Sequence, residues 1–505
     1  MKSKENEIAQ LHPRDTVAVA LTALKAGNSV RLENEVLRIR QDIPAAHKVA
    51  LRPIRAGEAV VKYGSPIGIA ISAIEPGDWV HSHNLESSLR GLGKYRYRPT
   101  AAESSVRGFP PCSGSFMGYE RSDGRAGIRN ELWILPTVGC ANGLAGTMAA
   151  RFRSELPPGI DGLRVLSHPY GCGQSGEDHR RTQRMLAAMA VHPNAGAVLV
   201  LSLGCEDNCI EEFRPVIEQL QPRLDSRRIR FLEAQKEAEE VEAGLDALRR
   251  LAGYASGFKR APLPLSRLEL GMKCGGSDAF SGISANPLVG AIADRLYTCG
   301  AATVLTEVPE MFGAEQHLLD RCCDREVFDR ASAMLNGFRQ MFIDHGQPIH
   351  ENPSAGNREG GITTLEEKSL GCVQKGGSQP VVDVLNYGQQ LRRPGLSLAE
   401  GPGNDLIAVS VLAATGVQMI LFTTGRGTPL GSPVPVIKIA SNSDLALRKP
   451  HWIDFNAGTL TEGASLQEEA VRLWQLVVEV ASGRRTRSEE NGYHEFLPFK
   501  DGTTQ

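Results

Sequence analysis

Four cysteines of this 505-residue chain each follow an apolar run and stand in a short turn that contains glycine. They are Cys140 in LPTVGCAN, Cys172 in SHPYGCGQ, Cys205 in LSLGCEDN and Cys274 in LGMKCGGSD. Turns of this kind lie at the carboxyl edge of an α/β sheet, where ligands bind. Thiolates there are ligands that iron or zinc accepts. We therefore predict that the four cysteines border one metal centre, although the absence of a C-x-x-C pair disfavours a zinc ribbon.

The segment HSHNLE at residues 81–86 is a second candidate for chemistry. In an extended segment His81 and His83 point to the same side. Two imidazoles on one side can share a metal or divide the acid and base roles. The amide of Asn84 is suited to bind a substrate hydroxyl. The alternative explanation is an exposed polar strand end.

Other polar groups follow predicted strands and suit a small oxygenated acid. Ser277 and Asp278 stand in the glycine-rich segment CGGSDAFSGISANP, which could hold a carboxylate or a polyol. Lys375 in QKGGSQP could pair with a substrate anion, and Arg426 in TTGRGTP suits bidentate carboxylate binding. Glu307, at the end of a predicted strand, is the favoured acid or base. Structural turns and solvated surface charges remain the alternatives for these segments.

Composition limits the class of protein. Lys and Arg number 56 against 58 for Asp and Glu, which gives a net charge of −2. This balance disfavours nucleic acid and anionic membranes as partners. The N-terminus lacks the apolar core of a signal peptide, and the longest apolar stretch, 407–422, is too short and too mixed to span a bilayer. We expect a cytoplasmic protein. The segment GCGQSG at 171–176 fits a dinucleotide pattern, but the acidic residues that follow it would repel a pyrophosphate.

The periodicity divides the chain into four regions. Short β-type runs separated by turns predict a small β-rich domain at 1–95, with one helix at about 18–25. Residues 96–117 are rich in glycine, proline, serine and basic residues and predict a linker. Apolar strands then alternate with amphipathic helices, which predicts mostly parallel sheets covered by helices. We place an α/β domain at 118–260 and a C-terminal α/β domain at 261–505, joined by a connection near 258–266.

Several segments together resemble the altronate/galactarate dehydratases, and most closely the altronate branch of that family. These segments, in the order of the family, are HSHN, RNELWILPTVGC, HPNAGAVLV, CGGSDAFSGISANP, LTEVPEMFGAEQ, NPSAGNREGGITTLEEKSLG, LFTTGRGTP and KPHWIDFNAG. The resemblance covers about residues 8–500. It implies that the N-terminal region is a β-clip module called SAF.

The resemblance also implies a lyase reaction. D-altronate would lose water to give 2-dehydro-3-deoxy-D-gluconate in hexuronate catabolism, with Fe²⁺ or Mn²⁺ as the activating metal. The four cysteine turns keep an iron–sulfur cluster as an alternative cofactor. A homo-oligomer is the alternative to a monomer. Galactarate dehydration and sulfite release from sulfolactate are the alternative reactions. In this hypothesis His81 or His83 is a metal ligand or an acid–base group, and Lys273 is the base if burial lowers its pKa.

Overall fold

The computed structural model describes residues 7–32, 35–100 and 114–502. Its N-terminal part, residues 7–100, consists of short strands in three antiparallel sheets, ordered β1-β2-β5-β8, β3-β4 and β6-β7-β9. The strands are β1 (Ile8–Ala9), β2 (Val17–Ala20), β3 (Ser29–Leu32), β4 (Glu35–Arg38), β5 (Lys48–Ala50), β6 (Ala59–Lys62), β7 (Ser65–Ala70), β8 (Trp79–Val80) and β9 (Leu85–Glu86). The small β-rich domain of the prediction is therefore present.

The helix predicted at about 18–25 is wrong. Val17–Ala20 is β2 instead, and it lies between β1 and β5 in its sheet. All four of its residues are buried. A strand that is buried on both faces shows no alternation of apolar and polar residues, so its pattern cannot be told from that of a buried helix. Most of the predicted linker at 96–117 lies outside the described residues, because residues 101–113 are not among them.

The middle part, residues 114–264, has a parallel sheet ordered β13-β12-β14-β15 and an antiparallel sheet ordered β11-β10-β16. The strands are β10 (Ser115–Glu120), β11 (Ala126–Gly127), β12 (Glu131–Pro136), β13 (Gly162–Val165), β14 (Ala195–Ser202), β15 (Ile229–Glu233) and β16 (Arg260–Pro264). The helices are α1 (Asn142–Phe152), α2 (Gly176–Ala190), α3 (Ile210–Leu220) and α4 (Glu240–Ala255). The residues predicted as a connection near 258–266 include β16, which pairs with β10 and returns the chain to the start of this part.

Successive residues of β12 face opposite sides of the parallel sheet. Leu132 and Ile134 share a core with α1 and α4, whereas Trp133 and Leu135 share one with α2 and α3. Helices on both faces bury both sides of the strand, which explains its almost continuous apolar sequence. The second of these cores also contains residues of the C-terminal part, so the two parts pack together.

The C-terminal part is built on a seven-stranded parallel sheet, ordered β19-β20-β18-β17-β21-β22-β23. Its strands are β17 (Glu269–Cys274), β18 (Ala302–Leu305), β19 (Val381–Leu385), β20 (Gly395–Ala399), β21 (Met419–Thr424), β22 (Val436–Ala440) and β23 (Phe455–Asn456). Its helices are α5 (Ala285–Thr298), α6 (Glu315–Leu319), α7 (Arg325–Asp344), α8 (Ala355–Glu359), α9 (Leu365–Cys372), α10 (Asp405–Ala414), α11 (Ser443–Arg448), α12 (Leu466–Ala481) and α13 (Arg487–Glu490). The α/β class of the prediction is confirmed. Residues 378–392 also have a pattern that predicts an amphipathic helix, and there the prediction is wrong because β19 lies within them.

The order of the seven strands decides where the site lies. β17 is flanked by β18 and β21, and all three are parallel. Their carboxyl ends therefore meet at one edge, where the loops after β17, β18 and β21 are neighbours. Within the described ranges, no helix combines the length and the apolar character that crossing a membrane requires.

Candidate active site

A buried cluster of thiols, lysines and carboxylates lies at the carboxyl end of β17. Cys274, Glu307, Glu310 and Cys372 are all buried, and one ligand atom from each lies within 4.8 Å of the others. Cys274 ends β17 and Glu307 follows β18, while Cys372 comes from the end of α9. The sequence thus brings one group from each of three separate elements to the same edge of the sheet.

The ammonium group of Lys375 lies among three of these four groups. Its Nζ is 2.8 Å from the Sγ of Cys274, 3.0 Å from the Sγ of Cys372 and 3.0 Å from Oε2 of Glu307. An ammonium has three N–H donors, and each of them has an acceptor here. The two thiol sulfurs are 3.6 Å apart. The hydrogen bond with Cys372 and burial raise the pKa of Cys274 above its ordinary value.

Lys273 holds the other side of Glu307. Its Nζ is 2.5 Å from Oε1 of Glu307 and 2.8 Å from Oδ1 of Asp405. Glu307 has a left-handed backbone with φ of 69°, a conformation that is strained for a residue with a side chain. Burial alone would lower the pKa of Lys273, but the carboxylates outweigh that effect and raise it. The expectation that burial lowers this pKa is therefore wrong, and Lys273 is an ammonium rather than a base.

Glu310 and Lys368 connect the buried cluster to a cleft. The Nζ of Lys368 is 2.9 Å from Oε1 of Glu310, and it also approaches Oδ1 of Asn352 and of Asn357 at 3.1 Å and 3.3 Å. Burial works against ionisation of Glu310, but the nearby lysines lower its pKa to about 2. The cleft has a volume of about 400 Å³ and is lined by, among others, Gly275, Gly276, Glu310, Asn352, Asn357, Lys368 and Asp405. Carboxylate, ammonium and amide groups therefore surround a space suited to a small polyhydroxy acid.

Whether the buried cluster can bind a metal ion depends on its four donor groups and on the lysines beside them. Two thiols and two carboxylates would suit iron or manganese by ligand type. However, three ammonium groups (Lys273, Lys368 and Lys375) already face three carboxylates (Glu307, Glu310 and Asp405). The Lys375 ammonium also lies within 3.0 Å of three of the four donors that the ion would use. The buried cluster therefore does not fit a metal ion in this arrangement.

Ser277 and Asp278 lie beside this site but differ in their contacts. Ser277 is buried, and its Oγ has no hydrogen-bond partner among the described residues. The carboxylate of Asp278 accepts hydrogen bonds from the hydroxyls of Ser281 and Ser441 and from Nδ2 of Asn442, so it connects its own turn to the segment after β22. Arg426 is exposed and pairs with Glu359 at 2.8 Å.

Of the two predicted histidines, His81 lies where the N-terminal part contacts α8, and His47, which was not predicted, lies beside it. Nε2 of His81 is 3.0 Å from the carbonyl oxygen of Arg358, and Nε2 of His47 is 3.1 Å from that of Glu359. Because carbonyl oxygens only accept, both imidazoles donate Nε2–H to the end of this helix. Burial lowers the pKa of His81, and it lowers that of His47 to about 4.

The two other residues of that motif have different surroundings. His83 is exposed and packs near the ring of Trp79, with the ring centroids 5.2 Å apart. The amide of Asn84 is used at both ends inside its own turn: Oδ1 accepts from the backbone N–H of His81, and Nδ2 donates to the carbonyl of Trp79. These contacts assign Asn84 to holding the turn rather than to a substrate hydroxyl.

The four predicted cysteines lie at or after the ends of strands that belong to two different sheets. Cys274 belongs to the buried cluster, whereas Cys140, Cys172 and Cys205 are exposed and follow β12, β13 and β14 of the middle part. In the described ranges, the group of close metal-ligand atoms contains only Cys274 of the four. A single centre bordered by all four cysteines is therefore not what the structure shows, because the turns belong to different sheets.

Sequence reasoning missed Cys372 and Asp405, whereas it named Lys368 as a possible partner of a substrate anion and Glu310 as a less favoured acid or base than Glu307. A signal for Cys372 was present. Lys368, Cys372 and Lys375 are spaced by four and then three residues, which places them on one side of a helix. Glu310 follows Glu307 by three residues in the turn after β18. Only tertiary contact brings Asp405, at the start of α10, beside Lys273.

Three family models match successive parts of the chain, and they all describe the same family. Residues 6–88 match the altronate/galactarate dehydratase SAF domain, residues 118–256 the D-galactarate dehydratase/altronate hydrolase second domain, and residues 265–504 the D-galactarate/altronate dehydratase C-terminal domain. Altronate dehydratase of Escherichia coli K12 is 48% identical over 98% of this chain and 99% of its own length. That of Bacillus subtilis 168 is 46% identical, again over 98% and 99%.

A third relative is more distant. The galactarate dehydratase (L-threo-forming) of Escherichia coli K12 is 34% identical over 97% of this chain and 95% of its own length. All three matched domains occur here in the same order and together span most of the chain. The chain therefore belongs to the D-galactarate/altronate dehydratase family.

Proposed function

We propose that this chain is a hydro-lyase that converts D-altronate to 2-dehydro-3-deoxy-D-gluconate and water. The observation that carries the proposal is the 46–48% identity to two altronate dehydratases over nearly the whole of each chain. The galactarate relative is only 34% identical over a similar length, which favours altronate as the substrate. The cytoplasmic location and the homo-oligomer stay predictions.

The cleft supplies the groups that such a substrate needs. Burial works against the charge of Lys368, but its neighbours together, Glu310 foremost among them, outweigh burial and raise its pKa, so that it is an ammonium. We assign its ammonium to binding the carboxylate of the sugar acid. The amides of Asn352 and Asn357 lie beside it, and we assign them to binding hydroxyl groups of the substrate. Gly275 and Gly276 let the backbone lie close to the substrate: a side chain on Gly275 would begin 2.4 Å from a carboxylate oxygen of Asp405.

Loss of water from C2 and C3 requires removal of the proton beside the carboxylate. The developing enediolate is negatively charged, and fixed ammonium groups in a site that excludes water stabilise such charge strongly. Lys368 at the cleft and Lys273 and Lys375 below it are fixed in this way by their ion pairs. We assign Asp405, which lines the cleft and is held by Lys273, to accepting the C2 proton.

A divalent metal would add Lewis-acid stabilisation of the enediolate when bound. Iron or manganese dependence remains part of the proposal, but no step is routed through the buried cluster, since Lys375 lies among its donors. The roles first assigned to His81 and His83 also remain proposals, and the contact of His81 with Arg358 supports a positioning role at the junction.

Product analysis tests the proposed reaction. The purified chain is incubated with D-altronate, galactarate and (2R)-sulfolactate, and the 2-keto acid, sulfite and remaining substrate are measured. We expect turnover of D-altronate to exceed that of the other two by at least tenfold. Equal or faster turnover of galactarate, or release of sulfite, would reject altronate as the substrate.

A further inference from the structure

The carboxyl edge of the four-stranded sheet carries three cysteines that the proposed reaction does not use. β13, β12 and β14 are adjacent parallel strands, and each is followed by a loop that contains an exposed cysteine. Cys140, Cys172 and Cys205 are all exposed free thiols. We call these three residues the thiol edge.

Hydrogen bonds hold the three loops together. The backbone N–H of Gly139 donates to Tyr170 at 2.8 Å, and that of Asn208 donates to the carbonyl of Gly171 at 3.1 Å. The N–H of Gly173 donates to the carboxylate of Asp207 at 2.9 Å. Gly171 has φ of 103°, and a Cβ there would lie 2.0 Å from the carbonyl oxygen of Thr137. Only glycine allows this loop to lie so close to the end of β12, so the convergence of the loops is built into the sequence.

The topology makes this edge a place where ligands bind. The chain passes from β12 through α1 to β13 on one face, and from β13 through α2 to β14 on the other. The crevice at the reversal of strand order, outside the carboxyl ends of β12 and β14, is the general ligand site of open α/β sheets. Cys140 and Cys205 stand in the two loops that border it. The helices α1, α2 and α3 begin after the three loops.

Each loop also contains a side-chain amide with an unsatisfied atom. Among the described residues, Oδ1 of Asn142, Nε2 of Gln174 and Oδ1 of Asn208 are buried without a hydrogen-bond partner. The Nδ2 groups of the two asparagines donate to the carbonyls of His168 and Thr137, which fixes their oxygens as the unsatisfied atoms. A buried polar atom without a partner costs about 1–3 kcal/mol. All three atoms lie within three residues of a thiol-edge cysteine. Nε2 of Gln174 is a donor that a sulfide or thiolate of a bound group can accept, whereas the two oxygens accept and need a donor such as a water or hydroxyl bound beside that group.

We propose that Cys140, Cys172 and Cys205 bind an iron–sulfur cluster of the four-iron type. Thiolates around one ion, at about 2.3 Å from it, lie about 3.8 Å apart. Among the residues that the structure describes, these three thiols do not form a group within 4.8 Å, so a core of several atoms fits them better than a single ion. Three thiolates would hold three irons, and the fourth iron would be free for an oxygen ligand.

A fourth cysteine of the same loops is not needed. Cys209 is the N-cap residue of α3, and its side chain makes no capping hydrogen bond there. Binding of a preassembled cluster is a ligand exchange: three Cys thiols lose their protons to solvent, three Fe–S(Cys) bonds form, and three small thiolates leave. No electron is transferred in this step.

The proposal is independent of the substrate assigned above, because its test measures bound iron, bound sulfide and visible absorption and does not measure turnover. The purified chain is treated anaerobically with ferrous and ferric iron, sulfide and dithiothreitol, and then desalted. We expect about four irons and four sulfides per chain, with broad visible absorption. Cys140→Ser, Cys172→Ser and Cys205→Ser should each lose most of the iron and the absorption.

Matched variants separate ligation from folding. Cys323→Ser removes an exposed free thiol elsewhere in the chain, and Cys209→Ser removes the free thiol of the N-cap residue of α3. Both should retain the cluster, and the thermal midpoints of all five apo variants should match that of the parent. One iron per chain without sulfide, no iron at all, or undiminished loading of the Cys140→Ser, Cys172→Ser and Cys205→Ser variants would overturn the proposal.

Discussion

Glu367→Gln should weaken the attachment of the N-terminal part to the C-terminal part. Glu367 lies between two lysines of the N-terminal part: its Oε2 is 2.8 Å from Nζ of Lys48, and its Oε1 is 2.8 Å from Nζ of Lys62. All three side chains are at most 2% exposed. Replacing the carboxylate by an amide of the same shape leaves two buried ammonium groups without a counter-charge.

The size of the effect follows from the pKa of Glu367. Burial works against its ionisation, but Lys48 and Lys62 lower its pKa from 4.5 to about 2. This difference corresponds to about 3 kcal/mol in favour of the ionised form. Removing one partner of a buried ion pair typically costs about 3–5 kcal/mol. We therefore expect the free energy of unfolding at pH 7 to fall by about 3–5 kcal/mol.

Urea unfolding and hydrogen exchange of residues 48–70 would measure this loss. The control is Glu366→Gln, because the adjacent buried Glu366 accepts only from the N–H and hydroxyl of Ser88. The control should lose about 1 kcal/mol or less. Lys62→Met in the Glu367→Gln background should recover part of the stability. A loss below 1 kcal/mol for Glu367→Gln, or equal losses in both Gln variants, would refute the reasoning.

The defect should also depend on pH. Burial lowers the pKa of Lys48 to about 8 even with the carboxylate in place. Without Glu367 the pKa of Lys48 should fall further, so the folded variant loses this proton at a lower pH than the parent does. The unfolded chain then binds more protons than the folded variant, and stability rises with pH. The difference between parent and variant should therefore be smaller at pH 9 than at pH 6.

Three further predictions concern the cleft, acid stability and the junction with α8. Lys368→Met should reduce kcat/KM for D-altronate by at least a hundredfold, whereas Lys25→Met, at an exposed ion pair, should change it less than twofold; equal effects would remove Lys368 from the site. Glu310 and Glu367, whose pKa values are about 2, stabilise the fold above their ordinary pKa of 4.5, so urea unfolding should show a loss of about 2 kcal/mol for each by pH 3. His47→Ala should raise KM more than it lowers kcat, because His47 holds the end of α8 and not the reacting atoms, and a purely kcat defect would contradict that.

The sequence predicted the sheet edge better than it predicted the members of the site. Strand ends could be located because apolar runs stop at glycine-containing turns, and this placed Cys274 and Glu307 correctly at the carboxyl edge of the C-terminal sheet. Strand order cannot be derived from such runs. The assumption that all four cysteine turns share one sheet therefore failed for Cys140, Cys172 and Cys205, although each of them does follow a strand.

The ionisation states of the buried lysines were the second property that could not be predicted from the sequence. Lys273 and Lys375 are separated by about a hundred residues from each other, and the sign of each pKa shift depends on which carboxylates lie near. Glu307 accepts from both lysines, so it is the group that brings their two segments together. The lysines already supply the positive charge at the buried cluster, and the ammonium of Lys375 lies among the donors that an ion would use. A metal is then better sought at the exposed thiol edge, where no lysine or arginine nitrogen lies within hydrogen-bonding distance of the three sulfurs among the described contacts.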